Sequence, residues 1–219
     1  MKILLLGANG QVGWELQRTL SVLGELVTTE RTPGADIVLD NTDLTRVQAT
    51  LDRVAPDVIV NASAHTAVDR AEEETELASQ LNAQLPGLIG TWSARHRSRV
   101  LHYSTEYLID GRKDRPYPET DPTCTIRDYG RTNQAGDDAQ LAQRGVYPLA
   151  PSGSTSWFGF ASAIRDRQGL QCELQPIPTS ASPTPAARPP NSRMDASRLE
   201  QTLGLAMPGR EDELRRCLA

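Results

Sequence analysis

The chain has 219 residues, enough to bury a core and to form one large domain or one and a half. Hydrophobic residues make up 38% and charged residues 23%, the balance of a folded globular protein, and a formal net charge of -5 at pH 7 excludes the long-range attraction of a basic patch for nucleic acid or an anionic membrane. Three widely spaced cysteines, Cys124, Cys172 and Cys217, exclude a disulfide framework and a zinc site, and all three are expected to be reduced.

Lys2 to Leu6 is a continuous apolar run ended by glycine, the pattern of a parallel strand buried on both faces. It is too short for a signal peptide or a membrane span, so a cytoplasmic location is expected. From Gln11, the spacing of Val12, Leu16, Leu20 and Leu23 predicts a helix with one apolar face. Strands follow at Glu25 to Glu30 and Asp36 to Leu39, then a helix from Asp43 to Val54 with Leu44, Val47 and Leu51 inward, then a strand from Asp57 to Ala62. A helix from about Val68 should carry Leu77, Leu81, Leu85, Leu88 and Trp92 on one side, with Pro86 breaking or kinking it. Arg99 to Ser104 reads as a strand, the turn-rich stretch with Gly111, Pro116, Pro118 and Pro122 follows, and a helix is expected from Tyr129 to Gln143. Strands alternating with helices imply an α/β fold, a Rossmann-type doubly wound parallel sheet. Beyond Gln143 the expectations are a strand and turn over Gly145 to Gly153, a helix over Thr155 to Arg167, an irregular proline-dense run from Leu174 to Asn191, and short helices at Ser197 to Leu203 and Glu211 to Leu218.

Gly7, Gly10 and Gly13 form G-x-x-G-x-x-G between a strand and a helix, where missing side chains let the backbone approach a pyrophosphate at the positive helix end. Glu30, closing the second strand, stands where a carboxylate would accept the adenosine ribose hydroxyls, while Arg31 beside it could pair with a 2′-phosphate. A nicotinamide dinucleotide is therefore expected, with a lean toward NADPH and NADH as the alternative. The cofactor contacts expected are Gly7, Asn9, Gly10, Gln11, Val12, Gly13, Glu30, Arg31, Asp40, Ala62, Ser63 and Ala64.

Three more segments stand at strand ends or a helix start: Asn61 to Asp69 (NASAHTAVD), Tyr103 to Tyr107 (YSTEY) and Tyr129 to Asn133 (YGRTN). Downstream lie Gly153 to Phe158 (GSTSWF), Pro183 to Ala186 (PTPA) and Arg188 to Ser192 (RPPNS). In order and spacing these resemble the dTDP-4-dehydrorhamnose reductase family of extended short-chain dehydrogenases/reductases, across nearly all the chain. The resemblance implies NADPH- or NADH-dependent reduction of a dTDP-linked keto-sugar, feeding surface polysaccharide. It implies catalytic hydroxyls at Thr105 and Tyr129, and substrate contacts at His65, Val68, Asp69, Glu106, Tyr107 and Arg188. His65 could equally be structural, and Asp69 could cap the helix that follows it. A homodimer and a magnesium ion near Glu15 are permitted by the resemblance; the sequence itself supports no metal.

Two departures stand out. The family pattern Y-x-x-x-K has Asn133 at its lysine, an amide that can hydrogen-bond a ribose but carries no charge to stabilise tyrosinate. Several tens of residues that the family carries before Gly145 are absent, leaving residues 1–144 as a dinucleotide-binding domain and 145–219 as a reduced substrate-binding region. Glu106 also replaces the usual Asp, and Pro148 the usual His. The alternative to a reductase is a dinucleotide-binding homologue without turnover, or a regulatory subunit.

Overall fold

A computed structural model describes residues 1–126, 128–141 and 145–218, with the backbone alone at 139–141. Its contacts divide the chain into two compact units, one of Met1–Asp110 with Thr123–Gly145 and one of Gly111–Pro122 with Val146–Ala219.

The first unit is built on β1 (Lys2–Leu6), β2 (Glu25–Glu30), β3 (Ile37–Val38), β4 (Val58–Asn61) and β5 (Arg99–His102), all parallel in the order β3-β2-β1-β4-β5. The central strand shows why a continuous apolar run is needed. Leu4 and Leu6 pack with Ile59, Val47, Leu51, Ile89 and Trp92 on one face, while Ile3 and Leu5 pack with Leu20 and Val60 on the other. Each such side chain contributes about 1.5–3 kcal/mol on burial. The helices α1 (Gln11–Leu20), α2 (Leu44–Val54) and α4 (Leu85–His96) supply these layers, and the Trp92 indole donates to Asp52 at 2.7 Å, tying α4 to α2.

Several expectations need correction. α1 ends at Leu20, so Leu23 lies beyond it at 58% exposure, and Val12 faces outward at 44%. What seats this helix is Gly13, Leu16 and Leu20. The single helix expected from Val68 is four pieces: a 3-10 turn at Arg70–Glu72, α3 (Thr75–Ser79), a π-type turn at Gln80–Gln84, and α4. Pro86 falls in the first turn of α4, where its missing N–H costs nothing, and the wider turn before it absorbs the change. No strand forms over Gly145 to Gly153; Ser152 alone bridges to Gly209. Pro148 and Pro151 remove the donors a ladder requires. α5 (Asp128–Leu141) starts one residue early, and its expected end at Gln143 lies outside the described residues.

The second unit contains α6 (Trp157–Gln168), α7 (Ser197–Leu203) and α8 (Arg210–Cys217). Its clearest anchor joins distant segments. The Tyr117 N–H donates to the Arg193 carbonyl at 2.8 Å, and the Asn191 amide donates to the carbonyls of Lys113 and Arg115 at 2.7 and 2.9 Å. The core is thin here: α6 buries no residue, and Trp157 is 86% exposed. Among the described residues no helix is long and apolar enough to cross a membrane.

Candidate active site

The switch point of the strand order lies between β1 and β4, and the loops leaving these two strands meet there. Gly7 has φ +79, and a β-carbon on it would lie 2.9 Å from the Ser63 nitrogen. A β-carbon on Gly13 would lie 2.0 Å from the Gly7 carbonyl oxygen, so only glycine lets α1 sit this close to β1. Gly10 has room for a side chain instead, since a β-carbon there would stand at ordinary contact, 3.5 Å from the Gly7 carbonyl oxygen. No side chain caps α1. The result is an uncapped positive helix end behind a glycine turn, the cradle a pyrophosphate requires. Gly13→Ala should cost the cradle about 1–3 kcal/mol through overpacking and weaken NADPH binding about tenfold or more, read by a fluorescence titration.

Glu30 sits at the rim. Its carboxylate accepts from the Asn9 N–H at 3.1 Å and the Arg31 N–H at 2.8 Å, while the Arg31 side chain is exposed. Asp40 is occupied by its own turn: the N–H and hydroxyl of Thr42 donate to it and hold its carboxyl below the usual range. Ser63 is likewise fixed, its N–H and hydroxyl donating to the Asn61 side-chain oxygen at 3.2 and 2.7 Å. Ala62 and Ala64 flank it on the same loop.

The two hydroxyls expected to do chemistry are brought together. Thr105 follows β5 and Tyr129 opens α5, and the Thr105 side chain stands near enough to the phenol to act on its pKa. Tyr129 is buried, with the Tyr107 ring edge-on at 5.3 Å. Gly130 makes the approach possible, since a β-carbon there would lie 2.3 Å from the Tyr107 carbonyl oxygen. Burial pushes the Tyr129 hydroxyl above its ordinary 10; the neighbouring Thr105 side chain opposes this and the nearby Glu106 carboxylate adds to it. The Thr105 hydroxyl also accepts from the Tyr107 N–H and donates to Glu106, both at 3.3 Å. Asn133 is buried one turn after Tyr129, and its amide donates to the Tyr129 backbone carbonyl at 2.8 Å. It places no charge beside the phenol.

The other sequence-derived candidates are more structural in their contacts. His65 is buried, its Nε2 2.7 Å from Glu74 and its N–H donating to Asn82 at 2.8 Å. Val68 packs on Ala71, Ala78 and Tyr129. Asp69 heads the 3-10 turn at Arg70–Glu72 without capping it, which removes the capping alternative. Arg188 lies in the second unit and donates to the Ala186 carbonyl at 2.9 Å. Glu15 pairs with Arg18 at 2.8 Å, and among the described residues no cluster of His, Cys, Asp or Glu could hold a metal ion.

A polar group that sequence reasoning missed lies beneath the hydroxyl pair. The Asn61 amide donates to His102 Nδ1 at 3.1 Å, His102 Nε2 is 4.0 Å from Asp137, and the Ser104 hydroxyl donates to Asp137 at 2.6 Å. Burial lowers His102 from 6.5 to about 4 and raises Asp137 from 3.8 to about 6. The one signal for this in the sequence is spacing, since Tyr129, Asn133 and Asp137 recur at four residues on one helix face.

The model of the RmlD substrate binding domain matches this chain in two stretches, residues 1–144 and 137–219. The dTDP-4-dehydrorhamnose reductase of Burkholderia thailandensis is 33% identical over 291 aligned positions, covering 95% of each chain. That of Escherichia coli K12 is 31% identical over 291 positions, covering all of this chain and 97% of the relative. Among solved structures, a dTDP-4-dehydrorhamnose reductase from Clostridium acetobutylicum superposes with a TM-score of 0.92 at 25% identity, over 99% of this chain and 98% of that one. One from Bacillus anthracis, solved in complex with NADP, superposes with a TM-score of 0.91 at 23% identity over 98% and 97%, a likeness of fold.

Proposed function

This chain belongs to the RmlD substrate binding domain family, and on that premise we propose that it is a reductase using NADPH or NADH to convert dTDP-4-dehydrorhamnose to dTDP-rhamnose. The observation that carries the reading is the juxtaposition of Thr105 and the buried Tyr129 at the C-terminal edge of the sheet whose switch point forms the glycine cradle. Gly7, Gly10 and Gly13 would hold the pyrophosphate, Glu30 and Arg31 the adenosine ribose, and Ala62 to Ala64 the face opposite. Val68, Asp69, Glu106 and Tyr107 would meet the sugar nucleotide. A nicotinamide held there would supply the hydride for the ketone carbon.

The remaining chemistry belongs to the chain. Hydride addition leaves an alkoxide, which Tyr129 protonates while the Thr105 hydroxyl donates a hydrogen bond to the same oxygen. Because burial raises the tyrosine, its proton is in place at neutral pH, the state that reduction needs, but it is given up reluctantly. Residues 1–144 are read as the dinucleotide-binding domain and 145–219 as what remains of the substrate-binding region. Support for an internal shortening comes from the family match, whose two stretches overlap at 137–144, and from alignments of 291 positions against 219 residues. A cytoplasmic location and a homodimer accompany this reading.

The test is cofactor oxidation with dTDP-4-dehydrorhamnose, with the product identified by NMR, on the native chain and on Tyr129→Phe. The native chain should form product, and the variant should lose about 10²-fold to 10⁴-fold in kcat while binding NADPH equally well. NADPH binding without turnover in the native chain would replace the enzyme by a non-catalytic dinucleotide-binding protein.

A further inference from the structure

Asp137 costs the fold something that needs a return. Its side chain is 10% exposed, and burial holds its carboxyl near 6. An acid so placed, with no cation bonded to it among the described residues, is expensive to ionise. The titratable groups that face it are His102 from β5 and Asp138 from α5 itself, and neither offers charge compensation: His102 is kept neutral by burial, and Asp138 repels. What Asp137 does have is the 2.6 Å hydrogen bond from the Ser104 hydroxyl. Ser104 immediately precedes Thr105, and Asp137 stands two turns after Tyr129 on the same face of α5. The bond therefore spans the two elements that carry the hydroxyl pair. His102, whose Nδ1 accepts from Asn61, backs the carboxylate on its other side.

We propose that Asp137 is a positioning residue for the reductase reaction: its carboxylate grips the Ser104 hydroxyl and so holds Thr105 in place beside Tyr129. The proposal rests on the reductase reading. Ionised, the carboxylate accepts a charge-assisted bond, the stronger kind; protonated, it loses that advantage and the loop bearing Thr105 is released. A small misplacement of a catalytic group is enough to cost much of the rate. Turnover should thus fall as pH drops through about 6, with KM little changed.

The experiment measures kcat against pH for the native chain, Asp137→Asn and Ser104→Ala, and follows the Thr105 backbone amide by NMR over the same range. The native chain should lose rate below pH 6, and its Thr105 amide should titrate with a midpoint near 6. Each variant should be slower by roughly tenfold at neutral pH, lack the acid limb and show no such amide titration. An Asp137→Asn chain that keeps the native rate and the native acid limb overturns the proposal. If the native chain turns over at no pH, the reductase reading fails, and the amide decides this one alone: a midpoint near 6 lost in both variants supports it, and a flat trace or one unchanged in the variants overturns it. Two variants guard against misfolding in either, since Ser104 is at the surface and its change leaves the core intact.

Discussion

Asn133→Lys is expected to raise kcat by about 10²-fold and to give the enzyme an alkaline limb that the native chain lacks. Position 133 lies one helical turn after Tyr129 and one before Asp137, all on one buried face of α5. In the native chain the amide there is taken up by the Tyr129 backbone carbonyl, and the phenol is held above 10 by burial. A lysine cation in that setting pulls the phenol down by favouring tyrosinate, and it pulls Asp137 down by placing a cation beside that carboxylate. The sign of the pH effect follows. Reduction consumes the protonated phenol, so the native rate stays level as pH rises toward 10, whereas a lowered phenol makes the variant's rate decline earlier on the alkaline side. A variant that folds, binds NADPH and shows neither the gain nor the alkaline decline removes position 133 from the chemistry.

The pair beneath the site makes a second large effect. Asp137 is raised in the fold, so between the ordinary carboxylate range and about 6 the native state binds a proton that the unfolded chain has released, and rising pH takes stability away. His102 is depressed to about 4, so between there and 6.5 the unfolded chain binds the extra proton, and falling pH takes stability away. At about 1.4 kcal/mol per pKa unit each contribution approaches roughly 3 kcal/mol, and they oppose each other over nearly the same window. Asp137→Asn leaves His102 unopposed. Relative to the native chain, the variant should therefore lose up to roughly 3 kcal/mol as pH falls from about 6.5 to about 4, while His102→Gln should gain by a similar amount. Urea unfolding at a series of pH values measures both. Parallel stability curves for the three chains would mean that the two groups titrate normally in the fold.

How much of this could be read in the sequence depended on range. The β1-glycine-α1 unit was legible because it is local: an apolar run, a glycine where φ must be positive, and a helix start follow within a dozen residues. That Glu30 ends a strand and that Thr105 and Tyr129 open helical turns was legible from signals beside them, whereas the catalytic roles proposed for Thr105 and Tyr129 rest on the family resemblance. Leu23 was misplaced because the apolar spacing runs past the point where α1 stops. Pro86 marks the break expected of it, at the start of a new helix, but periodicity does not announce the π-type turn that precedes it. The strand expected near Val146 failed through two prolines among apolar residues. Nothing local could join Asn61 to His102, 41 residues away, or Ser104 to Asp137, 33 away; only the closed sheet with α5 laid against it does so. Gly130 was visible but mute, its reason being the Tyr107 backbone that presses on it.

The central claim is that the glycine cradle and the Thr105–Tyr129 pair still work as one reducing site in a chain of this length. The most direct measurement is isotope transfer: NADPH deuterated at the reactive nicotinamide carbon, incubated with the native chain and dTDP-4-dehydrorhamnose, with the sugar nucleotide examined by mass spectrometry. The label should appear on the sugar carbon that bore the ketone. Label retained entirely in NADPH that is demonstrably bound would contradict the claim.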